Sequence, residues 1–220
     1  GSLAAQSLGI PVINNISGLG TVFGAMRSTS VGTLLSRFLG ILYKFALLRS
    51  DKIFFQNNDD RREFVEKGIV KAHMADLLPG SGVDLDRFSY TPINANKLSP
   101  KPNNVKKKIR FLLMARMLWD KGVGEYIEAA RLLSRSYPHA EFCMIGFLDF
   151  QNPAAISEAK INEWVAEGIV QYLGVKDDVR SEIEKADCIV LPTLYREGVP
   201  RSLLESAAMG RPIITTDSVG

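Results

Sequence analysis

The chain has 220 residues with 46% hydrophobic content, enough for two small domains or one large one with filled cores. Lys and Arg number 27 against 24 Asp and Glu, a net charge of +3, without the cationic excess of a protein held mainly by nucleic-acid phosphates, so no nucleic-acid partner is expected. No run of about 18 apolar residues spans a bilayer, and the opening GSLAAQSLGIPVI lacks the basic flank and cleavage pattern of a signal peptide, which predicts a cytoplasmic protein.

In chain order, IPVINNIS and DKIFFQN read as strands, and VGTLLSRFLGILYKFALL and DDRREFVEKG read as helices, together part of an α/β unit. Residues 33–49 are apolar with Arg37, Lys44 and Arg49. They read as a helix packed in that unit's core, in preference to a surface laid on an anionic membrane. RFSYTPINANKLSPKPNNVKKK follows, with three prolines and four asparagines, and reads as an interdomain linker whose KKK end is a solvated charge cluster sooner than a phosphate or lipid contact.

From Arg110 the pattern is regular. IRFLLMA is a buried strand, and Val123, Tyr126, Ile127, Ala130 and Leu133 then share one helix face. AEFCMIG is a strand, Pro153 to Glu167 is helix-compatible, GIVQYLG is strand-like, and DDVRSEIEKA carries Val179, Ile183 and Ala186 on one stripe. DCIVLP, a helix from about Pro200 to Met209, and RPIITT complete the alternation. Apolar runs without a period of two predict a parallel sheet covered on both faces, a doubly wound α/β domain.

Cys143 and Cys188 lie inside apolar strand runs, which predicts buried free thiols. His73 and His139 stand far apart, so neither a zinc site nor a histidine relay is expected, and no metal is expected to be required. The sequence opens on what reads as the end of a helix and stops at TTDSVG, directly after a strand. It is therefore expected to be a fragment truncated at both ends, with Gly1-Ser2 readable as native or as left by cloning.

The chemistry concentrates in YREGVPRSLLESAAMGRPIITT. Pro200 suits the first turn of a helix, whose free N–H groups at the strand tips favour a phosphate. Glu205, about one and a half turns further in, suits a vicinal diol such as a ribose, and Glu197 in the preceding loop faces whatever lies beyond the phosphates. Gly198 removes a Cβ from that approach. Taken alone, the two glutamates read more simply as a helix N-terminal acid and an exposed helix residue. ARMLWDKG changes that balance: Arg116 at the strand end and Lys121 at the next helix start open on the same sheet edge, two cations that neutralise a diphosphate without metal.

REGVPRSLLESAAMGRPIITTDSVG, with ARMLWDKG before it and LLPGSGVDLDRF earlier, resembles glycosyltransferase family 4, retaining enzymes of the GT-B fold. ISGLGTVFG and FFQNNDDRREFVEKG resemble its branch that builds bacterial capsule, O-antigen and exopolysaccharide on a lipid carrier. The resemblance implies an α/β chain of two Rossmann-like domains facing a crevice, the first incomplete and the second lacking its C-terminal part. The boundaries expected are 1–88 for the acceptor-side domain, 89–108 for the linker and 109–220 for the nucleotide-sugar domain.

The resemblance also implies that Arg116 and Lys121 hold the donor diphosphate and offset charge on the leaving nucleotide. Glu197 then binds donor-sugar hydroxyls, and Glu205 the ribose. Backbone N–H groups near Gly198, Val199, Pro200, Ser202 and Leu203 help grip the sugar and phosphate, and Leu173 and Gly174 line the base pocket. No general base is assignable, because Asn15 or Ser17 stands where many relatives carry histidine. The glycine-rich phosphate loop of the family's first domain is absent, and Gly18 and Gly20 read equally as a donor approach or a turn. The expected function is transfer of a sugar from a nucleotide-sugar, UDP-linked by default, to a lipid-linked or growing saccharide, with peripheral contact to an anionic membrane. The rival is a nucleotide-binding module or inactive fragment without catalysis. A redox dinucleotide enzyme is a distant third, because the second half lacks a G-x-G-x-x-G turn after a strand.

Overall fold

The computed structural model describes residues 1–18, 30–93, 108–194 and 197–218, with 30–37 described through their helix alone. Contacts divide the described residues into two units, the first holding 1–18, 30–82, 197–201 and 218, the second 83–93, 108–194 and 202–217.

The first unit carries a parallel sheet of β1 (Ile13–Ile16), β2 (Lys52–Phe55) and β3 (Ala75–Leu77), in that order. Its helices are α1 (Ser2–Ser7), α2 (Ser30–Leu47) and α3 (Asn58–Glu66). Helix α3 starts where Asn57 can cap it: the Asn57 side chain accepts from the Asp60 N–H at 2.8 Å. Phe64 on α3 meets Phe55 of β2 and Tyr43 of α2 edge to face, at 5.2 and 5.4 Å between ring centres, and so joins three elements in one core.

Leu39, Tyr43 and Leu47 turn one face of α2 toward that core, as expected for a packed helix. Phe38, Ile41, Leu42 and Phe45 occupy the opposite face and are exposed, as is Leu48 just past the helix, so core packing leaves a described apolar face of the helix uncovered.

The second unit carries a parallel sheet in the order β6 (Gln171–Tyr172), β5 (Ala140–Ile145), β4 (Ile109–Met114), β7 (Cys188–Leu191), β8 (Ile213–Thr215). The first strand is central, and the chain winds outward to one side and then to the other. Helices α4 (Val123–Ser136), α5 (Glu158–Ala166), α6 (Arg180–Lys185) and α7 (Arg201–Ala208) connect them. Successive β4 residues feed opposite cores: Leu113 joins Tyr126, Ile127 and Trp164, and Leu112 joins Cys143, Ile183 and Ile189.

Tyr126 pins α4 to the β4–β5 pair. Its hydroxyl accepts from the Cys143 N–H at 3.2 Å and lies 3.0 Å from the Phe111 carbonyl, and burial pushes the phenol well above its usual range. Cys143 and Cys188 are buried free thiols, pushed up by that same loss of water.

Phe88 is buried in the second core, and the Arg211 guanidinium donates to the Thr91 hydroxyl at 2.7 Å, which secures residues 83–93 to this unit. Residues 94–107 of the expected linker lie outside the described residues. Two expected elements are shorter than the sequence suggests. The strand in GIVQYLG is limited to Gln171–Tyr172, and the helix predicted from Pro153 starts at Glu158, where the Ser157 side chain accepts from the Lys160 N–H.

Candidate functional site

In the second unit the strand order reverses between β4 and β7, and open parallel sheets take ligands outside their strand carboxyl ends at such a reversal. The segment after β4 holds two of the expected residues there. Ala115 N–H donates to the Ile145 carbonyl at 3.1 Å and Met117 N–H to the Phe147 carbonyl at 3.0 Å, extending the ladder past the strand end. Met117 and Leu118 are buried while Arg116 between β4 and them is 37% exposed, and its Nη1 donates to Asp149 Oδ2 at 3.0 Å. A 3-10 turn, Trp119–Lys121, then leads into α4. Lys121 is buried within that turn, an uncommon position for a lysine.

The segment after β7 meets this turn from the other side. Leu194 N–H and the Thr193 hydroxyl both donate to the Asp120 carbonyl, at 2.9 and 3.2 Å. Gly122 makes the approach close: it is left-handed, φ 74°, and a Cβ there would lie 1.9 Å from the Pro192 carbonyl oxygen. Thr216, past β8, donates in turn to the Thr193 carbonyl. The two-cation loop is therefore held on one side by the segment after β5 and on the other by the segment after β7.

Leu173 and Gly174 open on the same edge. Leu173 N–H donates to the Met144 carbonyl at 2.8 Å and Gly146 N–H to the Gly174 carbonyl at 3.1 Å. Ser202, Leu203 and Glu205 lie on α7, which starts at Arg201, one residue after Pro200. Leu203 packs on the β4–β7 core, Ser202 gives its carbonyl to the Ser206 hydroxyl at 2.6 Å, and Glu205 is half-buried.

Glu197, Gly198, Val199 and Pro200 group with the first unit. There Val199 N–H donates to Gln56 Oε1 at 3.2 Å, and a Cβ on Gly198 would stand 2.0 Å from that oxygen and 2.3 Å from the Ser17 carbonyl. The missing Cβ thus admits atoms of the protein itself. Glu197 is half-buried, while Asn15 and Ser17 are exposed at and just past the end of β1, and Gly20 lies outside the described residues.

Among the described residues, no three His, Cys, Asp or Glu side chains gather where they could hold a metal ion. Asp149, Thr193 and Gln56 are the participants that sequence reasoning missed. Gln56 and Thr193 carried one signal, a polar residue within two positions of a strand's end, and Asp149 carried only a turn signature, D-F-Q-N-P.

Residues 108–220 match the family model described as "Glycosyl transferases group 1". The chain belongs to this family. Its relatives include the N,N'-diacetylbacillosaminyl-diphospho-undecaprenol alpha-1,3-N-acetylgalactosaminyltransferase of Campylobacter jejuni, 31% identical over all of this chain and 56% of that protein. The amylovoran biosynthesis glycosyltransferase AmsK of Erwinia amylovora is 28% identical over 64% of this chain and 35% of its own length. This group 1 chain thus spans about half of the former relative and a smaller share of the latter.

Among solved structures, Anabaena HepE in complex with UDP and glucose superposes over the whole chain and 56% of its own, with TM-score 0.71 and 16% identity. A trehalose-6-phosphate structure from Escherichia coli, bound with UDP-2-fluoro glucose, covers 99% of this chain and 56% of its own, with TM-score 0.67 and 14% identity. These likenesses show the fold, Rossmann-like α/β units of the GT-B type, as the resemblance implied.

Proposed function

We propose that this chain forms most of a retaining glycosyltransferase that takes a sugar from a nucleotide-sugar, with UDP the favoured nucleotide. The acceptor is a lipid-linked or growing saccharide in bacterial surface polysaccharide synthesis. One observation carries the reading: Arg116 and Lys121 stand on a single loop at the sheet's point of reversal, held by Asp149 on one side and by Pro192–Leu194 on the other. The names of the relatives support it, since the Campylobacter protein is named for an undecaprenol-linked acceptor and the HepE structure holds UDP.

On this reading Arg116 offers its remaining N–H donors to the diphosphate, and Lys121 adds a second positive charge. Both stabilise the negative charge that develops as the nucleotide leaves, and they do so with no reorganisation when the bond breaks. Glu205 accepts from the ribose hydroxyls and Glu197 from the donor sugar, with backbone N–H groups in the stretch from Gly198 to Leu203, which Pro200 cannot supply, assisting. Leu173 and Gly174 border the base. On this reading the two cations supply the departing diphosphate's counter-charge without a metal.

Cytoplasmic location, with peripheral contact at the inner face of the membrane, belongs to the same proposal. No described helix is long and apolar enough to cross a membrane. The exposed apolar face of α2 supports the contact, accompanied by Lys44 and Arg49 and by no acid between Ser30 and Ser50.

Calorimetric titration with UDP, GDP and ADP, alongside a thermal melt, tests the reading. Saturable binding of UDP that disappears in Arg116→Ala is the expected result. A cooperative melt with no nucleotide binding refutes the donor-site assignment.

A further inference from the structure

The segment that follows β5 lies along the Arg116 loop for most of its length. Met117 N–H donates to the Phe147 carbonyl at 3.0 Å, Trp119 N–H to the Ala154 carbonyl at 2.9 Å, and Ile156 N–H to the Met117 carbonyl at 3.0 Å. Leu118 and Ala155 form an antiparallel bridge within this zipper. Between its ends the segment turns on Asn152. The Asn152 N–H donates to the Asp149 carbonyl at 2.9 Å, and its side-chain oxygen accepts from the Ala154 N–H at 3.0 Å. The Asp149 backbone is thus fixed by bonds that do not involve its carboxylate, which is left to meet Nη1 of Arg116.

This ion pair is poorly explained as a device for stability. Both side chains keep contact with water, 37% exposed for Arg116 and 24% for Asp149, and pairs of that kind contribute little to folding. What the pair does provide is direction. Arginine is long and loses much rotamer freedom when ordered, and a carboxylate anchored on an already rigid turn fixes one nitrogen and aims the rest of the planar fork. An acid close to a phosphate-binding arginine also opposes the ligand by like-charge repulsion. The two effects have opposite signs, so a measurement of affinity decides between them.

We propose that Asp149 is a positioning residue for the donor diphosphate, acting through Arg116 and making no contact with the ligand itself. The proposal rests on the reading above that Arg116 receives the diphosphate. The anchored Asn152 turn supplies the rigidity and the zipper to 117–119 ties that turn to the loop it serves, so Arg116 is oriented before the nucleotide arrives.

The test is a double-mutant cycle read by calorimetry with UDP on the parent chain, Asp149→Ala, Arg116→Ala and the double variant, with Asp149→Asn as the conservative comparison. Asp149→Ala is expected to weaken UDP by about tenfold, and Asp149→Asn, which keeps an acceptor oxygen, by about twofold. In the Arg116→Ala background, Asp149→Ala is expected to change nothing further, which a general loosening of the loop cannot mimic. Should Asp149→Ala fail to melt cooperatively, Asp149→Ser, polar but too short to reach Arg116, carries the cycle. Equal losses with and without Arg116, or tighter UDP binding in Asp149→Ala, overturn the positioning role while leaving the donor site standing. An Arg116→Ala variant that binds UDP like the parent overturns the donor-site reading and this proposal with it.

Discussion

Replacing Gly122 by alanine separates two reasons for a glycine at one position. The residue is left-handed, φ 74°, which costs an alanine about 1–2 kcal/mol. The new Cβ would also lie 1.9 Å from the Pro192 carbonyl oxygen, whereas ordinary contact begins at 3.4 Å, so one segment must retreat by about 1.5 Å, the difference of the two. Forcing such an overlap adds about 1–3 kcal/mol. A total of about 2–5 kcal/mol lowers the melting temperature of a chain this size by roughly 10 °C. Gly168 provides the control, with φ 72° and no atom within 4 Å of the place a methyl group would take, so Gly168→Ala carries the backbone cost alone and is expected to melt roughly 5 °C below the parent. Because the retreat parts Asp120 from Leu194 and Thr193, UDP affinity is expected to fall by about tenfold or more in Gly122→Ala and to stay at the parent value in Gly168→Ala. Differential scanning calorimetry and UDP titration read both quantities. If the two variants melt together and bind UDP alike, the contact with Pro192 does not hold the loop.

Further outcomes follow from the same residues. Glu197→Gln is expected to lower the transfer rate by about 100-fold while UDP affinity stays within about threefold, and transfer at the parent rate removes Glu197 from the reaction. Transfer is expected to survive dialysis against EDTA unchanged; a loss restored by a divalent cation contradicts the two-cation account of the diphosphate. The chain is expected to sediment with vesicles of anionic lipid and not with neutral ones. Exchange of Phe38 and Phe45 for serine on the exposed face of α2 should abolish that sedimentation, and unchanged sedimentation removes α2 from the contact.

The second unit was legible because buried parallel strands leave continuous apolar runs: IRFLLM, AEFCMI and CIVL each became a strand at the expected place. Short elements were not. Ala75–Leu77 has three residues and one of them is Asp76, too little pattern to separate from a loop. The stretch after Pro153 has helix-compatible composition, yet residues 152–156 are taken by the Asn152 turn and the bridge to Leu118, and the helix waits for Ser157 to cap it. Arg116 and Lys121 could be paired in the sequence because they share a loop of a few residues, whereas Asp149 meets Arg116 from 33 positions away and Gln56 meets Val199 from 143. Sequence patterns of local period carry no record of such partners, and the topology that brings them together is itself a product of packing.

Residues 197–201 belong to the first unit, although the chain reaches them only after four strands of the second have been laid down. During synthesis Gln56 leaves the ribosome more than a hundred residues before Val199, an interval of roughly ten seconds at ordinary elongation rates. The order of translation therefore interleaves the two units: the first waits for a strip of chain made after β7, and the second for β8, which is made after that strip. A nascent chain halted between β7 and residue 197 carries four strands of the second sheet and a first unit still lacking that strip.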